Sequence, residues 1–180
     1  VASNSYHRNF LVFVIDLINE APVDLDDVVR RWAAGGLGPP VPTNDDDFRS
    51  VCAFVEEWAE VVDATTEDQR VNLLNALLAD SVAYPRITRH DGSGWHVHYR
   101  DDGVSLAVIL RSVTSVAAAQ HLTSTGMHRL GRCAVAECRR AFVDFTQGGK
   151  QRYCSHACVN RDAVRRHRAR RTAGRSSVEA

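Results

Sequence analysis

Residues 132–170 read RCAVAECRRAFVDFTQGGKQRYCSHACVNRDAVRRHRAR. Four cysteines punctuate the stretch: Cys133 and Cys138 as C-x4-C, then a fifteen-residue spacer, then Cys154 and Cys158 as C-x3-C. Four thiolates at such spacing suit a closed tetrahedral Zn²⁺ site. CAVAEC forms a tight knuckle that turns both sulfurs to one side. AFVDF and QRYC alternate as two strands around the turn TQGGK. Cys158 falls in the first turn of a final helix, where exposed N–H groups and the macrodipole favour a thiolate. Knuckle, hairpin and helix together predict a treble-clef-like zinc finger.

A module of about fifty residues builds little core, so a metal supplies much of its folding energy. The same thiolates could hold an iron–sulfur cluster, but the hairpin-and-helix frame favours zinc. A fully occupied four-cysteine site has no open position, which makes the ion structural, one per chain. His156, between two ligands, either faces solvent or donates to sulfur, with replacement of a cysteine as the alternative. The fifth thiol, Cys52, reads as core filler. Clustered thiols without a secretory leader place the chain in a reducing compartment, the cytoplasm. The one leader-like run, FLVFVIDLI at 10–18, is too short to span a membrane and is broken by Asp16.

Formal net charge is zero, yet the total conceals a split. Residues 1–125 hold 9 Arg and no Lys against 18 Asp+Glu; residues 126–180 hold 13 Lys+Arg against 4 Asp+Glu. An acidic body is joined to a basic head, and basic heads meet polyanions. At 44% hydrophobic residues the chain can bury a core. The body, residues 1–125, reads as mainly helical. Helices are predicted over about 6–20, after a cap at Asp24, over 46–63, after a cap at Thr65 or Thr66, and over 104–123. Val51, Phe54, Val55, Trp58 and Val62 mark one inward face; Val71, Leu74, Leu77 and Leu78 mark another. Between the last two helices, residues 86–89 and 95–99 flank HDGSG as a hairpin. The fold class is thus α+β, with a small sheet in the body, the finger over 126–175 and a tail at 176–180.

The block from RCAVAEC to CVNRDAVRRHRARR resembles the CGNR zinc fingers, found at the C-terminus of bacterial proteins described as stress-induced transcription regulators. Their ending, C-G-N-R before a basic helix, corresponds to Cys158-Val159-Asn160-Arg161 and the arginines that follow. The opening apolar helix, and HDGSGWHVHYR before a long helix, are similar to that family's N-terminal ABATE domain. The resemblance implies Cys133, Cys138, Cys154 and Cys158 as ligands, and a sensing role for the body. Val159 stands at the signature glycine. If that position needs an unusual φ or close approach, valine shifts the helix; if its φ/ψ are helical, valine is harmless.

Arg161, Arg165 and Arg168 recur at i, i+4 and i+7, with Arg166 and Arg170 beside them and Arg171 beyond. Lys150, Arg152 and Asn160 complete the candidate nucleic-acid contacts. Phosphates relieve the mutual repulsion and release counterions. Arginine suits bidentate contacts to phosphate and guanine. The resemblance favours duplex DNA over RNA; a finger binding acidic protein surfaces is a further alternative. One finger has a small footprint, so a homodimer is expected. His96 and His98 share a strand face and, with His90 and Asp91, form a candidate site for a metal or a small-molecule effector; exposed structural histidines are the competing reading. No nucleophile–base motif or phosphate-binding glycine loop points to an enzyme.

Overall fold

A computed structural model describes residues 2–38, 41–89 and 94–176, with side chains between 7 and 170 in those spans. The helices are α1 Ala2–Asn19, α2 Leu25–Ala34, α3 Asp47–Asp63, α4 Glu67–Ser81, α5 Leu106–Thr125 and α6 His156–Ser176. β1 Arg86–Thr88 pairs antiparallel with β2 His96–His98, and β3 Leu130–Arg132 with β4 Ala141–Val143. The one-turn segment Met127–Arg129 links α5 to β3.

Local chemistry sets the helix ends. Asp24 accepts from Asp27 N at 2.7 Å and starts α2. Thr66 accepts from Gln69 N at 3.1 Å and starts α4, while Gln69 Oε1 accepts from Thr65 N at 3.0 Å. These side chains satisfy N–H groups that the first turn leaves over. The carbonyl end of α3 is closed by Arg70 of α4. Its buried guanidinium donates to Val61 O, Val62 O and Ala64 O at 3.0–3.2 Å, and also to Met127 O. Burial lowers the pKa of that guanidinium, with Glu67 opposing.

Apolar periodicity then builds the core. Val51, Phe54, Val55, Trp58 and Val62 are all buried on α3, as the sequence predicts; on α4, Leu74 and Leu77 are buried, Val71 and Leu78 half-buried. Phe10 and Phe13 of α1 meet Trp32 of α2 at ring-centroid distances of 5.7 and 6.1 Å. Helix α5 is central and buried on more than its apolar stripe. Ser112, Thr114 and Ser115 are buried because their hydroxyls donate back to Ile109 O, Leu110 O and Arg111 O. Cys52, expected as core filler, is only half-buried on α3 and is not among the residues of the core cluster; burial and then Glu56 push its thiol pKa up. Among the described residues, no helix is long and apolar enough to cross a membrane.

The finger hairpin belongs to this same core: Leu130, Ala141 and Val143 are buried in one cluster with the helices. The Asn19 side chain bonds both backbone groups of Ala141. Arg132 pairs with Asp63 through two bonds of 2.9 Å, and Arg140 with Glu20 at 3.1 Å. The strand pairing differs from the sequence expectation. AFV pairs with the upstream LGR of β3, not with QRYC, which forms no strand. Buried Asp144 is the reason: it takes Thr146 N at 2.7 Å, Thr146 Oγ1 at 2.5 Å and Gln151 N at 3.0 Å. Those bonds curl residues 144–151 into a closed loop. Residue 152 reaches the knuckle through Ala134 N, which donates to Arg152 O at 2.8 Å.

Candidate metal centre and nucleic-acid interface

β3 and β4 carry the knuckle between them. Cys133 N donates to Arg140 O at 2.8 Å just beyond the ladder, and Cys138 N and Arg139 N both donate to Val135 O. Closing so tight a turn puts Arg139 at φ 49°, the only positive-φ residue other than glycine among those described. The second cysteine pair comes from the start of α6. Ser155 caps that helix: its Oγ accepts from Cys158 N at 3.3 Å, and its carbonyl accepts from Val159 N at 3.1 Å.

Sulfurs of Cys133, Cys138, Cys154 and Cys158 all lie within 4.8 Å of one another. Cys138 and Cys154 are 3.6 Å apart, Cys154 and Cys158 3.8 Å. A tetrahedral ion with ~2.3 Å bonds to sulfur has ligand–ligand edges of ~3.8 Å. A disulfide needs ~2.05 Å, and all five cysteines are free. The donors therefore fit one Zn²⁺. Without an ion two of the thiols, Cys138 and Cys154, are mismatched. The backbone N–H of Arg140 leads in pulling Cys138 down to about 7, whereas burial leads in pushing Cys154 up to about 12. A dication supplies the charge that lets all four ionise together. His156 is exposed and takes no part in the cluster.

Cys133, Val135 and Cys158 are buried as a small second core, with Cys138, Tyr153 and Cys154 against it. Beyond them α6 leaves the body, and from Ala163 to Arg170 every residue is exposed. Asn160, Arg161, Val164, Arg165 and Arg168, with Ala157, line a shallow groove along one helix face. Arg166 and Arg170 lie alongside. Lys150 and Arg152 are exposed on the loop before Cys154, with the Arg152 guanidinium 5.9 Å from the Tyr153 ring centre. The side chain of Arg171 lies outside the described residues.

Sequence reasoning missed the acid in this basic field. Buried Asp162 accepts from Tyr153 Oη at 2.6 Å and pairs with Arg165 at 2.7 Å and Arg166 at 2.8 Å. The tyrosine bond leads in holding its carboxyl below the ordinary range, and in turn raises the Tyr153 pKa. Arg165 also reaches Glu137 of the knuckle at 3.8 Å. Asp162 thus ties α6 to the finger and orients two arginines. A lone acid in RDAVRR was the only sign of it. Val159 lies inside α6 without positive φ, so the valine at the glycine position is a normal helical residue.

In the other hairpin, strands 86–88 and 96–98 match the expected pair, and His96 Nε2 lies 3.1 Å from His98 Nε2. His98 Nδ1 is 3.8 Å from Asp102. His90 and Asp91, the other members of the candidate site, lie outside the described residues.

Comparison with known families agrees with this geometry. The CGNR zinc finger model matches residues 129–171. A second model, described as "Putative stress-induced transcription regulator" (ABATE), matches residues 16–149. The two overlap across 129–149, the region of the β3–β4 hairpin that both cores share. Comparison with curated proteins gave no match. With three-quarters of its length under the ABATE model and four clustered sulfurs under the other, this chain belongs to the ABATE family, the one described as "Putative stress-induced transcription regulator", and carries a C-terminal CGNR zinc finger.

Proposed function

We propose that the chain is a zinc-stabilised, DNA-binding transcription regulator acting in the cytoplasm as a homodimer. Residues 126–175 grip duplex DNA, and residues 1–125 sense a small-molecule effector and pair the copies. The division is one of function, since packing across residue 126 is continuous. The observation that carries this reading is the exposed arginine face of α6 rising from a four-sulfur anchor. Asn160, Arg161, Arg165 and Arg168 line its groove, with Arg166, Arg170, Arg171, Lys150 and Arg152 around it. A helix held at its base by metal meets phosphates without the ordering cost of a loose tail.

His96 and His98 are the proposed effector contacts, supported by the approach of their Nε2 atoms. Two imidazole nitrogens at that distance can share a proton, an anion or a metal ion.

The test is duplex binding by the full zinc-loaded chain across a salt series. Arg161→Ala should weaken binding on all sequences and reduce the log–log salt slope by about 1. Salt-independent binding, or an unchanged slope, refutes the DNA reading. A structured RNA that outcompetes duplex at fixed salt moves the assignment to RNA.

A further inference from the structure

Two neutral side chains stand in the middle of the cationic face of α6. Asn160 and Val164 line the same shallow groove as Arg161, Arg165 and Arg168. They are one turn apart, about 6 Å along the helix axis. Both are exposed, Val164 to 50%. Binding to phosphate alone rewards charge, and an isopropyl group adds nothing to it. Nor does Val164 serve the packing of the finger: it belongs to neither apolar cluster of the described residues. The helix is held to the knuckle by a different side, through buried Cys158 and Asp162. Every residue from Ala163 to Arg170 is exposed, which leaves about 12 Å of helix open to a partner.

We infer that this face of α6 enters the major groove of duplex DNA and reads bases there, Asn160 an adenine edge and Val164 a thymine methyl. The inference rests on the DNA reading proposed above and adds base selection to it. Charge complementarity sets the occupant as a polyanion, since Arg161, Arg165 and Arg168 flank the two neutral groups. The neutral groups then choose among polyanions. A carboxamide offers one donor and one acceptor, which match N7 and N6 of adenine, and an apolar side chain meets the C5-methyl of thymine. Both edges lie in the major groove, whose width of ~12 Å admits a helix of ~10–12 Å. The minor groove, ~6 Å wide, shows neither edge. In RNA the A-form major groove is closed to side chains, and uracil carries no methyl. Single strands call for aromatic platforms, and α6 holds no Phe, Tyr or Trp. With ~3.4 Å between base pairs, the two contacts fall about two steps apart.

Selection from a randomised duplex library by the full, zinc-loaded chain tests it. Wild type should enrich sites with two A·T pairs about two steps apart. Exchanging the contacted thymine for uracil removes only the methyl, and should weaken wild type about fourfold. Val164→Ala, at an exposed position where alanine is the better helix former, should bind the thymine site at least as weakly and ignore the exchange. Val159→Ala is the control: this other exposed valine of α6 lies outside the groove, and its loss should leave the response to uracil intact. Asn160→Ala should lose about tenfold in preference for the adenine. An enriched site indifferent to uracil, or a Val164→Ala variant that responds to the exchange as wild type does, overturns the inference. Binding with an Arg161-dependent salt slope but no enriched sequence sinks the base reading and leaves the DNA reading standing. Failure to bind any duplex at low salt sinks the DNA reading itself.

Discussion

Asn19, the last residue of α1, holds Ala141 of β4 by both backbone groups: its Nδ2 donates to Ala141 O at 3.0 Å, and its Oδ1 accepts from Ala141 N at 2.7 Å. One carboxamide acts here as a one-residue strand. Asn19→Ala leaves that N–H and C=O unsatisfied at a half-buried junction and should cost about 1–3 kcal/mol. Urea denaturation measures the loss, and faster hydrogen exchange at the Ala141 amide locates it. Unchanged exchange there would show the pairing is not made in solution.

Native mass spectrometry should find one zinc per chain, and none in Cys154→Ser. In that variant the knuckle at 133–138 and residues 152–170 lose exchange protection while α1–α5 and the β3–β4 ladder keep theirs. Zinc loading displaces thiol protons, that of Cys154 among them, whose free thiol is pushed up to about 12. Affinity should therefore fall as pH falls, and calorimetry in buffers of different ionisation enthalpy counts the protons.

Val159 offers a sharp contrast between two accounts of the signature glycine. Because the position is helical, Val159→Gly gains no conformational relief and adds backbone entropy to the unfolded chain. The melting temperature should drop, by less than 1 kcal/mol in stability, with zinc content unchanged. A gain in stability would mean that the backbone at residue 159 needs glycine after all.

Asp144 sets an acid limit on the finger. Burial alone would raise its pKa, but bonds from Thr146 and Gln151 and the charge of Arg129 outweigh it, leaving the carboxyl below its ordinary 3.8. A depressed carboxylate contributes stability that is present above the unfolded value and lost as pH falls through the folded one. The loop over 144–151 should lose stability progressively as pH falls below about 4. Asp144→Asn turns a donor toward Gln151 N and should cost about 2 kcal/mol at neutral pH, with a flatter acid profile.

Asp162→Asn keeps an acceptor for Tyr153 and removes the charge that holds Arg165 and Arg166. Duplex affinity at low salt should rise and the salt slope steepen, because two more cations become available to phosphate. Weaker binding would assign Asp162 a mainly orienting role.

Much of this was legible from the sequence. The clustering of the four sulfurs follows from spacing alone, and the body helices follow from apolar period and caps such as Asp24 and Thr66. What was not legible has physical reasons. The partner of AFV is LGR, three residues with no alternating pattern, and Asn19 meets Ala141 across 122 positions. Ser112, Thr114 and Ser115 break the stripe of α5 in the sequence but not in space, since each satisfies its own hydroxyl. In HVH and RIT the letters give a period of two, but not which side of the pleat faces the body.

Arg129 leaves no slack between the two ends of the molecule. Its guanidinium donates to Thr125 O at the end of α5 and to Thr146 O in the finger, and Gly149 is the only residue small enough to lie against it: a methyl group there would come within 2.7 Å of the guanidinium carbon. Beads on a string can swing; these cannot. Under the proposed function a signal received by the helical body would reach the arginines of α6 as a rigid displacement, and a few residues inserted after Gly126 should cost stability together with that coupling.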